Sequence, residues 1–130
     1  MDNAGLLHQL RMMHAQVGDP NLLVAELRAA LLYLPHDGRG QVWSGDQGGI
    51  RWIYAFTGEE EMAAFAEQRG FQEAELPYLT VRGSRLLEVG TAAAGMPAGV
   101  ALDAAGRTPM LFPPVRGIVP DEAAVDAGRN

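Results

Sequence analysis

A chain of 130 residues, 48% hydrophobic and 20% charged, has the size and balance of one globular domain, long enough to bury roughly two thirds of the surface its unfolded form exposes. Ten basic residues against sixteen acidic ones leave a net charge of −6, so the phosphate neutralisation behind nucleic-acid affinity has no global support. The lack of cysteine excludes disulfides, thiol catalysis and thiolate metal sites. With no apolar run near the roughly 18 residues of a membrane span and no secretory leader pattern, it sets the expectation of a cytoplasmic chain without membrane contact.

Leu6, Leu10, Met13 and Val17 recur at helical spacing and predict a first helix that stops at Gly18. Asp19 and Pro20 supply a cap and a first helical position for a second helix, whose apolar face runs through Leu23, Val24, Leu27, Ala30 and Leu31. Leu31, Leu32, Tyr33 and Leu34, closed by Pro35, read as a short buried strand, and His36-Asp37-Gly38 as a turn. Extended runs at 41–44 and 50–56 flank the loop 46–49 and predict a hairpin, with Val42 opposite Ile53, Trp43 opposite Trp52 and Ser44 opposite Arg51. Alternation places Ile50, Trp52, Tyr54 and Phe56 on one face, expected to meet the core, and Arg51, Ile53 and Ala55 on the other.

Thr57 and Glu60 have the spacing of a capping box, so a third helix is expected from Thr57. Met62, Phe65 and Ala66 form its buried stripe, Glu59, Glu60 and Glu61 complement its positive end, and Gly70 ends it. Residues 78–82 read as a strand behind Pro77. Gly83-Ser84 reads as a turn and cap for a short helix through Leu86, Leu87 and Val89. A last hairpin joins 99–103 to 109–112, after which 114–130 is expected to be a loose tail. These elements predict a single mixed α/β (α+β) domain spanning 1–130, with its core over about 20–113. It would hold a twisted sheet of about five strands with helices mainly on one face.

Chemical motifs fail on spacing. Gly40 and Gly45 have the first spacing of a phosphate loop, but Asp46 and Gln47 stand where Lys and Ser or Thr are needed. Ser44 and Ser84, the only serines, lie outside the nucleophile elbow pattern. His8 and His14 are six apart rather than the four that aligns two metal ligands on a helix. His36 and Asp37 are adjacent in a turn and point apart. Three consecutive glutamates span roughly 200 degrees of a helix and do not converge on one cation. Trp43, Trp52, Tyr54 and Phe56 lack the basic surround of a base-stacking platform and read as packing. No catalytic residue, metal site or cofactor is expected.

Taken together, the segments 27–35 (LRAALLYLP), 52–60 (WIYAFTGEE) and 99–106 (GVALDAAG) resemble the N-terminal domain of the bacterial SseB-type, or enhanced serine sensitivity, family over residues 22–113. The resemblance implies a small mixed α/β domain and carries no catalytic residues onto this sequence. It also touches on type III secretion through a shared name. Where relatives tend to show Asn-Pro-Gly, this chain has Asp103-Ala104-Ala105-Gly106, which keeps a turn without the proline.

These readings favour a non-enzymatic protein-interaction domain, with a chaperone- or immunity-like role toward a basic secreted protein as its expected setting and a homodimer as a further option. The alternative is a small-molecule or weakly enzymatic site built from scattered Arg, Asp and His. The expected partner surface is Arg39, Val42, Arg51 and Ile53, an arginine-flanked apolar strip if the N-terminal helices leave it uncovered.

Overall fold

The computed structural model describes residues 3–72 and 75–127. Helix α1 (Ala4–His14) buries Leu6 and Leu10, and α2 (Pro20–Ala29) buries Leu23 and Leu27. The first ends before Gly18, because the chain turns at Gln16 in a left-handed conformation (φ 65°). The second starts as expected, the Asp19 carboxylate accepting from the Asn21 N–H ahead of Pro20.

Among the described residues six strands rather than about five follow: β1 (Leu31–Pro35), β2 (Ser44–Gln47), β3 (Ile50–Ala55), β4 (Tyr78–Arg82), β5 (Ala98–Leu102) and β6 (Met110–Phe112). They form a two-stranded sheet, β1-β4, and a four-stranded sheet, β2-β3-β5-β6, joined where Tyr33 and Phe56 exchange both backbone hydrogen bonds at 2.9 Å. All pairs are antiparallel except β3 with β5. The hairpin register differs from the expected one by two residues, Ser44 lying opposite Ile53 and Asp46 opposite Arg51. Gly48 and Gly49, at φ 61° and 81°, close a two-residue turn that only such positive φ values allow, so the loop is shorter than its composition suggested.

Both sheet faces are covered, and this corrects the expectation for β3. Ile53 and Ala55 enter the larger core, with Leu32, Val100, Leu102 and Phe112, beneath α1 and α2. The aromatic face meets a smaller core instead, in which Phe56, Met62 and Phe65 pack with Tyr33, Trp43 and Tyr54 under α3 (Glu59–Gln68). The helices still lie mainly on one face: α4 (Gly83–Arg85) continues through a π-turn at Leu86–Gly90, and Leu86 and Leu87 also join the larger core. Residues 114–127, expected to be loose, are docked: Pro114, Val119 and Ala123 are buried, the last two in the larger core. The rest of that tail, 128–130, lies outside the described residues.

Two substitutions test this packing. A Cβ on Gly83 would sit 1.7 Å from the Leu27 carbonyl oxygen. Gly83→Ala should therefore cost on the order of 3 kcal/mol or more in urea denaturation, as backbone must move. Phe65→Ala, which empties the centre of the smaller core, should cost about 3–5 kcal/mol. Near-wild-type midpoints for either would contradict the packing described.

Candidate functional site

The start of α3 is organised from a distance. Gly58, not Thr57, is the N-cap, and no side chain caps the helix, so the expected capping box is absent. The Thr57 N–H and hydroxyl instead donate to the two carboxylate oxygens of Asp103, at 2.9 and 2.8 Å. Asp103 follows β5, is 3% exposed and adopts a left-handed conformation (φ 50°) that Asp tolerates better than most residues. The Asn3 amide donates to the Thr57 and Leu31 carbonyls at 2.9 and 2.8 Å, adding α1 and β1 to the same junction.

The helix so placed forms one wall of an open groove of about 720 Å³. Its floor is Met62, Ala63, Ala66, Phe71, Leu76 and Tyr78, and its rim carries Glu59, Glu60, Glu67 and Glu75. Tyr78 donates to Glu59 at 3.4 Å, and the Glu59 charge is the main cause that lifts the Tyr78 phenol above its ordinary value. Among the described residues, Glu60, Glu67 and Glu75 form no ion pair. A groove with an apolar floor and an unneutralised acidic rim suits a ligand that brings both cations and apolar surface.

The residues expected to form a partner strip are not brought into one. Ile53 is buried beneath the N-terminal helices, and Val42 is half-buried against the same core. Arg51 is held by its cross-strand neighbour Asp46 in a two-point pair at 2.8 and 3.0 Å, which lowers the Asp46 carboxyl below its ordinary value. Arg39 sits on the exposed turn, where the Asp37 carboxylate accepts from the N–H groups of Arg39 and Gln41, the first of these holding it below the usual range. The His36 ring nitrogen meanwhile accepts from Gly38 N–H, so His36 and Asp37 both serve the turn.

A second cleft, about 570 Å³, lies beyond Phe71 and includes Trp43, Arg51 and Arg69. Both cations there are engaged. Arg51 has Asp46, while Arg69 donates to the Tyr54 hydroxyl at 2.7 Å and lies 4.9 and 4.8 Å from the Tyr54 and Phe65 ring centres. Among the described residues, no three His, Asp or Glu side chains are grouped to hold a metal ion, and no helix is long and apolar enough to cross a membrane.

These features define a small α+β domain with an open, acidic-rimmed groove along α3. Residues 5–116 match the family model of the SseB protein N-terminal domain, and the chain belongs to that family. The match takes in α1, which the sequence resemblance did not reach. No curated protein and no solved structure shows a significant match to the chain.

The groove was missed in sequence because Glu59 and Glu60 are fully explained by the positive end of a helix. Glu60, Ala63 and Glu67 do share a stripe at helical spacing beside buried Met62, and that was the available signal. The Asp103 junction makes a prediction about pH. Burial, the largest influence, raises the Asp103 carboxyl above its ordinary 3.8, against the two Thr57 hydrogen bonds and with help from the Glu61 charge. The folded state thus keeps the proton to higher pH than the unfolded state, so this group's contribution falls as pH rises from about 3.8 through the raised folded value. Asp103→Asn retains a hydrogen-bonding partner for Thr57 without ionising. Its stability relative to wild type should therefore increase between pH 4 and pH 7, whereas Asp103→Ala should lose about 1–3 kcal/mol. Parallel pH–stability curves for wild type and Asp103→Asn would contradict this role.

Proposed function

We propose that this domain is a non-enzymatic protein-interaction module that docks a basic, partly apolar segment of another protein in the groove along α3. The groove is the observation that carries the reading. It offers apolar floor area for affinity and four carboxylates for selection and steering, on a chain whose net charge is already −6. A chaperone- or immunity-like role toward a basic secreted protein, in a bacterial cytoplasm, is the setting that such a surface serves. The small-molecule alternative gains little from the second cleft, since its arginines already have internal partners.

Heteronuclear NMR titration with a short Lys- and Leu- or Val-rich peptide tests the proposal. Shifts should concentrate on 59–67 and 76–78, and affinity should fall steeply with salt. Glu67→Lys combined with Glu75→Lys, both away from the N-terminus of α3 and both exposed, should weaken binding about tenfold or more without changing the melting temperature. Binding unchanged by the double reversal, or shifts confined to the arginine-bearing cleft, would overturn the assignment.

A further inference from the structure

The groove ends at Tyr78, the first residue of β4, and among the described residues β4 is an edge strand with β1 as its one neighbour in the sheet. The direction of its free hydrogen-bonding groups follows from the ladder. Gly83 N–H donates to the Ala30 carbonyl and His36 N–H to the Pro77 carbonyl, while Tyr33 spends its own N–H and carbonyl on Phe56. Leu79 and Val81 therefore bond inward to Leu34 and Leu32, and the N–H and carbonyl groups of Tyr78 and Thr80 point outward. Among the described residues nothing bonds to them. Tyr78 and Leu79, 40% and 38% exposed, present opposite faces of the same open edge. On the Tyr78 side stands the acidic rim with Glu59, and on the Leu79 side a small apolar cleft that includes Val89, itself 50% exposed.

We propose that the partner segment binds as an added strand on β4, with basic side chains alternating toward Tyr78 and the glutamates and apolar side chains toward Leu79 and Val89. This deepens the docking reading and rests on it. Main-chain hydrogen bonds to Tyr78 and Thr80 supply affinity, and the two chemically different sides of the edge supply the alternating pattern. The occupant is thus an extended basic-apolar repeat from another protein. A helix lying in the groove would leave the β4 edge unpaired.

The test uses one blocked peptide of alternating Lys and Val and two N-methylated forms, one methylated at every Lys amide and one at every Val amide. Residues of one parity direct their N–H groups to one edge of a strand, so strand addition requires that one methylated form loses at least tenfold in affinity while the other binds like the parent. Thr80→Pro, which removes one outward N–H at an edge where proline is tolerated, should weaken the parent peptide similarly in protein that melts as wild type. Equal binding by all three peptides, or equal loss by both methylated forms, overturns strand addition. If the parent still responds to the Glu67→Lys, Glu75→Lys reversal in that case, the docking reading stands alone. No binding by the parent or by a Lys-Leu helical peptide overturns both.

Discussion

A buried carboxylate holds this domain's architecture at one point. Asp103 closes the end of β5 and grips the N–H and hydroxyl of Thr57 at the end of β3, where α3 is about to begin. The same Thr57 offers its carbonyl to Asn3, which also binds Leu31 at the head of β1. The ends of two parallel strands and the starts of β1, α1 and α3 are thereby fixed within a few hydrogen bonds. Desolvating a carboxylate is expensive, and the two Thr57 hydrogen bonds offset only part of that cost, which is why the Asp103 carboxyl stays above its ordinary value. Since α3 supplies a wall of the groove, the groove inherits its position from a residue that does not line it.

The two cores divide labour along the same line. The larger one, under α1 and α2, is built mainly from aliphatic side chains of α1, α2, β1, β3 and β5 together with Phe112 of β6, and is sealed by the docked segment around Val119 and Ala123. The smaller one is aromatic, with Phe65 ringed by Tyr54, Phe56 and Trp43 at centroid distances of 4.6, 5.3 and 6.4 Å. The Arg69 guanidinium covers that cluster, lying over the Tyr54 and Phe65 rings. Arg28 is similarly occupied, by Glu88 and by the carbonyls of Gly117 and Ile118. Arg28 and Arg69 thus have polar or aromatic partners within the molecule, while among the described residues Glu60, Glu67 and Glu75 form no ion pair.

What the sequence made legible was local. Strand β4 was readable to the residue because Pro77 and Gly83 bound it, and α2 because Asp19-Pro20 is a cap with one meaning. Thr57 misled for the opposite reason: its spacing to Glu60 satisfies a capping box, but its real partner lies 46 residues away. Ile53 misled because alternation reports that a strand has two faces, not how many of them are covered, and the parallel pairing of β3 with β5 puts both inside. The family resemblance supplied the fold class and nothing about a site. The groove is assembled from α3, from Phe71 and Leu76 in the connection after it, and from the first residue of β4, none of which carries a motif of its own.

An exposed edge strand with Tyr78 and Leu79 is a hazard that proteins usually blunt with lysine, proline, a bulge or a covering element. Here β4 pairs with β1 over five residues, and Pro77 stands just outside it. On the docking reading proposed above, charge selects what pairs at the open edge. The groove glutamates lie on the Tyr78 side of that edge, Glu59 within 3.4 Å of the phenol, and make the field there negative. A basic strand meets the same field as attraction. On that reading the glutamates select a basic strand to complete the sheet, and affinity at the edge depends on charge as well as on main-chain pairing.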